Sequence, residues 1–196
     1  MAVTYGNSWV DICNRALGRL GTGTIQSLTT EVVNKENARF CALYLGEAID
    51  TVYSQFDWAS AIAKVELARL VAEPINGADY AYQLPGDLIR VISVDADGED
   101  YSLVGETVET DAETVYLEYV QRPSDPAKIP GYLKKALSTT LAFVLTTPLT
   151  SNENMANRIA GEMQIAIERA KTDEQAGKQV VTQEDELGVV WYDQVR

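Results

Sequence analysis

The sequence contains no histidine. Its absence removes the commonest general base and the commonest metal ligand together. Ser-His-Asp triads, Cys-His dyads and histidine-based zinc sites are thereby excluded. Cysteine is nearly absent too: Cys13 and Cys41 are the only two, so four zinc ligands cannot be drawn from Cys and His. Each sits among apolar residues on a predicted helix, where a free thiol behaves as a small buried hydrophobe. A disulfide between them is the alternative, and a reducing compartment disfavours it. No apolar run reaches the roughly 20 residues of a membrane helix. Residues Met1-Ala2-Val3-Thr4-Tyr5 lack the basic start and apolar stretch of a secretory signal. Folding in the cytoplasm, without a membrane partner, is the expectation. Basic side chains are scarce as well, 16 against 29 acidic ones, for a net charge of −13. Such a balance opposes nucleic-acid binding, which rests on neutralising phosphates with Lys and Arg.

What is present suits a folded chain. Apolar residues make up 46% of the 196, enough for a continuous core in one domain or in one domain with an embedded module. Asn7 or Ser8 can cap a first helix running to about Leu20, with Trp9, Ile12, Ala16, Leu17 and Leu20 on one face. Gly21 is placed to end it, and Ile25 and Leu28 of the following loop are expected to tuck back. A second helix spans about Val33 to Phe56, with a stripe of Ala38, Cys41, Leu45, Ala48, Ile49, Val52 and Phe56, and Trp58 as a lid.

The pattern then becomes strand-like. Val65 and Leu67 alternate with Lys64 and Glu66, with helix as an alternative for this stretch. Pro74, Asn76-Gly77 and Pro85-Gly86 mark turns. Leu88–Val94, Tyr101–Val104, Thr107–Thr110 and Thr114–Val120 read as strands, the last with Val115, Leu117 and Tyr119 on one face. Asp97-Gly98 and Gly105-Glu106 fit tight hairpin turns, so an antiparallel meander is expected. Pro123, Pro126 and Pro130 close it. A third helix follows to about Thr147, stopped by Pro148, and a fourth runs from about Glu153 to Gln175. The expected fold is mainly α with an inserted antiparallel β module. It is a four-helix bundle plus β meander, divided as 1–58, 59–129 and 130–176, with an extended C-terminal tail at 177–196.

Motifs that suggest chemistry have plainer explanations. In Gly18-Arg19-Leu20-Gly21-Thr22-Gly23 the glycine order is wrong for a dinucleotide loop, and the segment follows a helix where a strand is required. In Asp95-Ala96-Asp97-Gly98-Glu99-Asp100 the glycine is fourth, whereas a calcium loop needs it sixth between helices. Ser138 near Lys134 and Lys135 suggests a Ser–Lys pair, but the lysines are expected to face water. Between Val91 and Gln121 stand Asp95, Asp97, Glu99, Asp100, Glu106, Glu109, Asp111, Glu113 and Glu118 with no Lys or Arg. Such a run reads as a solvated face, and no enzyme signal rises above it. No cofactor or metal is expected.

Several phrases resemble a known family. Asn14-Arg15-Ala16-Leu17-Gly18-Arg19-Leu20-Gly21 and Ile25-x-Ser27-Leu28 are followed by Asp50, Phe56 and Trp58. Tyr80-Ala81-Tyr82-Gln83-Leu84-Pro85-x-Asp87, the most specific, leads to Arg90-Val91. Tyr132-Leu133-x-x-Ala136-Leu137, Leu141-Ala142 and Pro148-Leu149-Thr150 complete the set. Together they resemble the tail tubular protein A family, the head-to-tail adaptors of tailed, especially short-tailed, bacteriophages. The resemblance spans about residues 8–175 in scattered phrases. It implies a virion protein at the head–tail interface: a ring, dodecameric as a rule, between portal and tail nozzle or tail tube. Double-stranded DNA would pass through it without specific binding.

Two further expectations concern interfaces. The C-terminal cluster Val189, Val190, Trp191 and Tyr192, with Arg196, carries aromatic anchors of the kind that dominate protein contacts. The carboxylates Asp95, Asp97, Glu99 and Asp100 are expected to face a channel or a basic partner. The alternatives are an acidic protein-binding module or regulator with no phage role, and a hydrolase working through paired carboxylates.

Overall fold

Ser8 and Asp11 open the first helix by satisfying each other's backbone. The Ser8 hydroxyl accepts from the Asp11 amide at 3.2 Å, and the Asp11 carboxylate accepts from the Ser8 amide at 2.9 Å. Two donors that a helix start leaves orphaned are thus paired. The Ser8 hydroxyl and amide, both donating to it, hold the Asp11 carboxyl below the usual range. The helix, α1, spans Trp9–Leu20 and ends at Gly21, whose φ of 69° is the left-handed cap the sequence suggested. The computed structural model describes residues 8–29, 34–71, 74 and 77–190, with side chains through 177. The chain forms two compact units, one from residues 1–52 and 125–196, the other from 53–124.

The first unit holds α1, α2 (Lys35–Tyr53), α3 (Gly131–Thr150) and α4 (Glu153–Val190). Its core joins Cys13, Ala16 and Leu17 of α1 to Ala38 and Cys41 of α2, Leu141 and Leu145 of α3, and Ile159 of α4. Both cysteines are free and fully buried. The neighbouring Cys41 thiol and burial push the Cys13 thiol up. The Asn14 amide pins the loop after α1 by bonding both the N–H and the C=O of Ile25, at 2.8 and 2.9 Å.

The helices do not form a clear four-helix bundle. A bundle asks each helix for one apolar stripe, yet α3 is buried on nearly every side, including Lys134, Ser138, Thr139, Thr140 and Thr146. It serves as the central element against which α1 and α4 pack. Hydroxyls make this burial tolerable by bonding carbonyls of their own helix: Thr139 to Lys135 at 2.8 Å and Thr146 to Ala142 at 2.8 Å. Pro148 does not stop α3. It lies inside the last turn, which Thr150 and Ser151 hold through bonds to the carbonyls of Thr146 and Thr147.

The extended tail is overturned over residues 177–190, where the α4 backbone continues as helix through Gly177 to Val190; its last six residues lie outside the described ones. Gly177 and Gly188 in this stretch each cost only about 1 kcal/mol relative to alanine. The flanking Glu, Gln, Lys and Ala are strong helix formers.

The second unit contains β1 (Ile62–Glu66), β2 (Tyr80–Gln83), β3 (Leu88–Asp95), β4 (Tyr101–Val104), β5 (Thr107–Thr110) and β6 (Tyr116–Gln121). They are antiparallel but not a meander. One three-stranded sheet has the order β1-β6-β3 and the other β2-β5-β4. Among the described residues only β4 and β5 pair as sequence neighbours. The Gly105-Glu106 turn joins them, with Gly105 at a φ of 59°. The Asp97-Gly98 turn instead passes the chain from one sheet to the other. Val115, Leu117 and Tyr119 are buried as their alternation predicted, packed with Tyr82, Val108 and Leu67.

Candidate functional site

The acidic run of the strand unit folds into a cleft. Asp97 and Gly98 both have positive φ, 54° and 86°, and the Glu99 amide closes the turn onto the Ala96 carbonyl at 3.0 Å. Asp and Gly are the residues that adopt such consecutive left-handed positions at least cost. The Asp95 carboxylate accepts from the Asp97 amide at 3.2 Å, further fixing the turn.

The β5–β6 connection is held beside it by two hydroxyls. Thr110 donates to the Asp100 carbonyl at 2.7 Å and accepts from the Ala112 amide at 3.3 Å. The buried Tyr82 hydroxyl then donates to the Ala112 carbonyl at 2.7 Å. These bonds bring Asp95, Asp97 and Glu99 together with Asp111 and Glu113 around an opening of about 520 Å³, with Ala112, Thr114 and Tyr116 completing the lining.

Of the four carboxylates singled out from sequence, Asp95, Asp97 and Glu99 line the cleft, while Asp100 is exposed outside its lining. Asp111 and Glu113 were not singled out. They belong to the same acidic run, but their convergence depends on the Thr110 and Tyr82 bonds. Glu109, also of that run, is buried on β5 and is not part of the solvated face.

Five carboxylates around one cleft concentrate negative potential there. Among the described residues no Lys or Arg forms an ion pair with them, and no three acidic or cysteine side chains converge as a metal site would require. The chemistry on offer is the reception of cationic groups and the repulsion of phosphate.

Some of the phrases that carry the family resemblance, those with Phe56 and Trp58, Tyr80 to Asp87 and Arg90, fall in the strand unit. Arg90 forms an ion pair with Asp57, between Phe56 and Trp58. Tyr119 donates to the Asp87 carboxylate at 3.1 Å; burial, and then this bond, raise the Tyr119 phenol. The Gln83 amide donates to the Glu106 carbonyl at 3.0 Å, and the Arg69 guanidinium sits 3.7 Å over the Tyr80 ring. Trp58 is fully buried, its ring centroid 5.2 Å from that of Phe56. These residues hold the framework of the strand unit together.

Elsewhere, Ser138 spends its hydroxyl on the Lys135 carbonyl at 3.0 Å. Lys135 is exposed, but Lys134 is buried, contrary to the expectation that both lysines face water. Gly18 to Gly23 is a helix end, as expected. The backbone of Val189 and Val190 belongs to α4, while Trp191, Tyr192 and Arg196 lie outside the described residues. No helix among the described residues is long and apolar enough to cross a membrane. No protein-family model matches this chain, and no curated protein matches it.

Proposed function

We propose that this protein is a structural head-to-tail adaptor of a tailed bacteriophage. Its copies assemble into a ring, dodecameric by the resemblance, between the portal and the tail nozzle or tube, and DNA passes through it. The observation that carries this reading is the behaviour of the most specific phrase, Tyr80 to Asp87. Its Tyr82, Gln83 and Asp87 bond to Ala112, Glu106 and Tyr119, all of them framework contacts inside the strand unit. Residues used in this way serve architecture, which is what an adaptor requires. The acidic cleft agrees with the role, since a conduit works best when its surfaces do not grip phosphate.

Electron microscopy of the purified protein, alone and mixed with the portal of the same phage, tests the proposal. Closed rings, or rings seated on the portal, are expected. A particle that stays monomeric and ignores the portal would overturn it. The cleft also favours a second reading, an acidic module that captures basic segments. That protein would be a monomer or dimer by light scattering and would bind a Lys/Arg-rich peptide in its place.

A further inference from the structure

In a chain of net charge −13, the helical unit carries a basic groove. Gly131, Lys135, Ser138 and Thr139 recur at helical spacing along one side of α3. Arg15 and Arg19 of α1 flank them on one side and Arg169 of α4 on the other. Two openings, about 540 and 210 Å³, adjoin there, with Arg19 and Lys135 lining both. The space beside Gly18 and Gly131 is open, since a Cβ on either would meet nothing within 4 Å. Arg19 is engaged by Glu162 at 3.1 Å, and Glu162 also holds Arg158. Arg15, Lys135 and Arg169 are exposed and form no ion pair among the described residues. Arg15 also helps to hold the Asp11 carboxyl low, after the hydrogen bonds from Ser8.

The same chain offers a surface of opposite charge, the turn that contributes Asp95, Asp97 and Glu99 to the acidic cleft. The Asp95–Asp100 turn presents four carboxylates in six residues, held in shape by two left-handed positions. Each surface also has an exposed apolar residue beside its charge: Tyr101, 46% exposed, next to the turn, and Ile165, 56% exposed, on the groove.

We propose that the acidic turn of one copy seats in the basic groove of the next. The inference rests on the ring reading above and names its contact. An acidic patch meeting a different, basic patch is a heterologous contact, the kind that propagates from copy to copy and closes into rings. Opposite charge steers the docking, and like charge in either position forbids it.

The test reverses each surface separately. One variant carries Asp97→Lys, Glu99→Lys and Asp100→Lys; the other carries Arg15→Glu, Lys135→Glu and Arg169→Glu. All six positions are exposed, and circular dichroism is the check that each variant folds. Sedimentation velocity then reads assembly. Each variant alone should associate at least about 100-fold more weakly than the unmodified protein, since facing like charges costs several kcal/mol. Combining both sets in one chain should restore assembly, and so should an equimolar mixture of the two variants. High salt should weaken the unmodified rings. Rings that persist in both single-surface variants would overturn this contact and leave the ring reading standing. The contact is equally overturned if groove reversal abolishes portal or DNA binding while rings persist, since the groove would then serve another macromolecule. An unmodified protein that never assembles overturns both.

Discussion

The Tyr132 hydroxyl donates to the Glu174 carboxylate at 2.6 Å, tying the first turn of α3 to a point well along α4. Glu174 is itself buried. The bond therefore does two things: it pairs a carboxylate removed from water, and it anchors α4 just before its backbone continues past Gly177.

Tyr132→Phe should destabilise the helical unit by about 1–3 kcal/mol, because a buried acceptor loses a donor at constant shape. The pH dependence follows from the same contact. Burial, then the Glu174 carboxylate, raise the Tyr132 phenol; burial also raises Tyr82 and, with Asp87, Tyr119. A phenol raised on folding contributes stability that is complete below its unfolded value of about 10 and is lost as pH rises through the folded one. Denaturant unfolding between pH 8 and the alkaline limit should show that decline, and Tyr132→Phe should flatten it. Identical profiles for the two proteins would remove Tyr132 as a source.

Trp58→Ala should cost the strand unit about 3–5 kcal/mol, the range for emptying a fully buried aromatic site. Indole fluorescence and denaturant titration provide the check. An unchanged unfolding midpoint would mean that the site collapses without loss.

Neutralising Asp95, Asp97, Glu99 and Asp100 to Asn or Gln should leave folding intact, since exposed charges contribute little. Asn at position 97 tolerates the left-handed φ of 54° there. Binding of a Lys/Arg-rich peptide should fall, with stability unchanged within about 1 kcal/mol. A glycan-hydrolysing activity abolished by any one of these changes would point to the carboxylate hydrolase instead.

Removing Lys178 to Arg196 deletes the helical backbone of residues 178–190. Helical ellipticity should drop by that contribution, while the melting of the remaining body, anchored at Tyr132 and Glu174, stays where it was. Assembly with the portal or into rings should be lost, because Trp191, Tyr192 and Arg196 go with the segment. Rings that form unimpaired would show that the segment is not an assembly arm.

The local signals in this sequence were enough to place most elements, because each depends on a few adjacent residues. Ser8 and Gly21 bracket α1 as capping chemistry requires, and the alternation of Val115, Leu117 and Tyr119 marks the buried face of β6. The lack of histidine and the uninterrupted acidic run from Asp95 to Glu118 were equally plain. What the sequence alone left undecided depends on contacts between distant residues. Strand β2 is only four residues long, and its partner β5 lies far along the chain, so the two-sheet pairing replaced the meander without any local cue. The central position of α3 came from neighbours on several sides, which made its Thr and Ser hydroxyls turn inward to their own helix. Asp111 and Glu113 reached the cleft because Thr110 and Tyr82 hold two connections together. Arg15, Arg19, Lys135 and Arg169 became one groove only through the packing of three helices. Periodicity records which side of an element is apolar; which charges share a surface is set by how the elements pack, and that is a property of the tertiary fold alone.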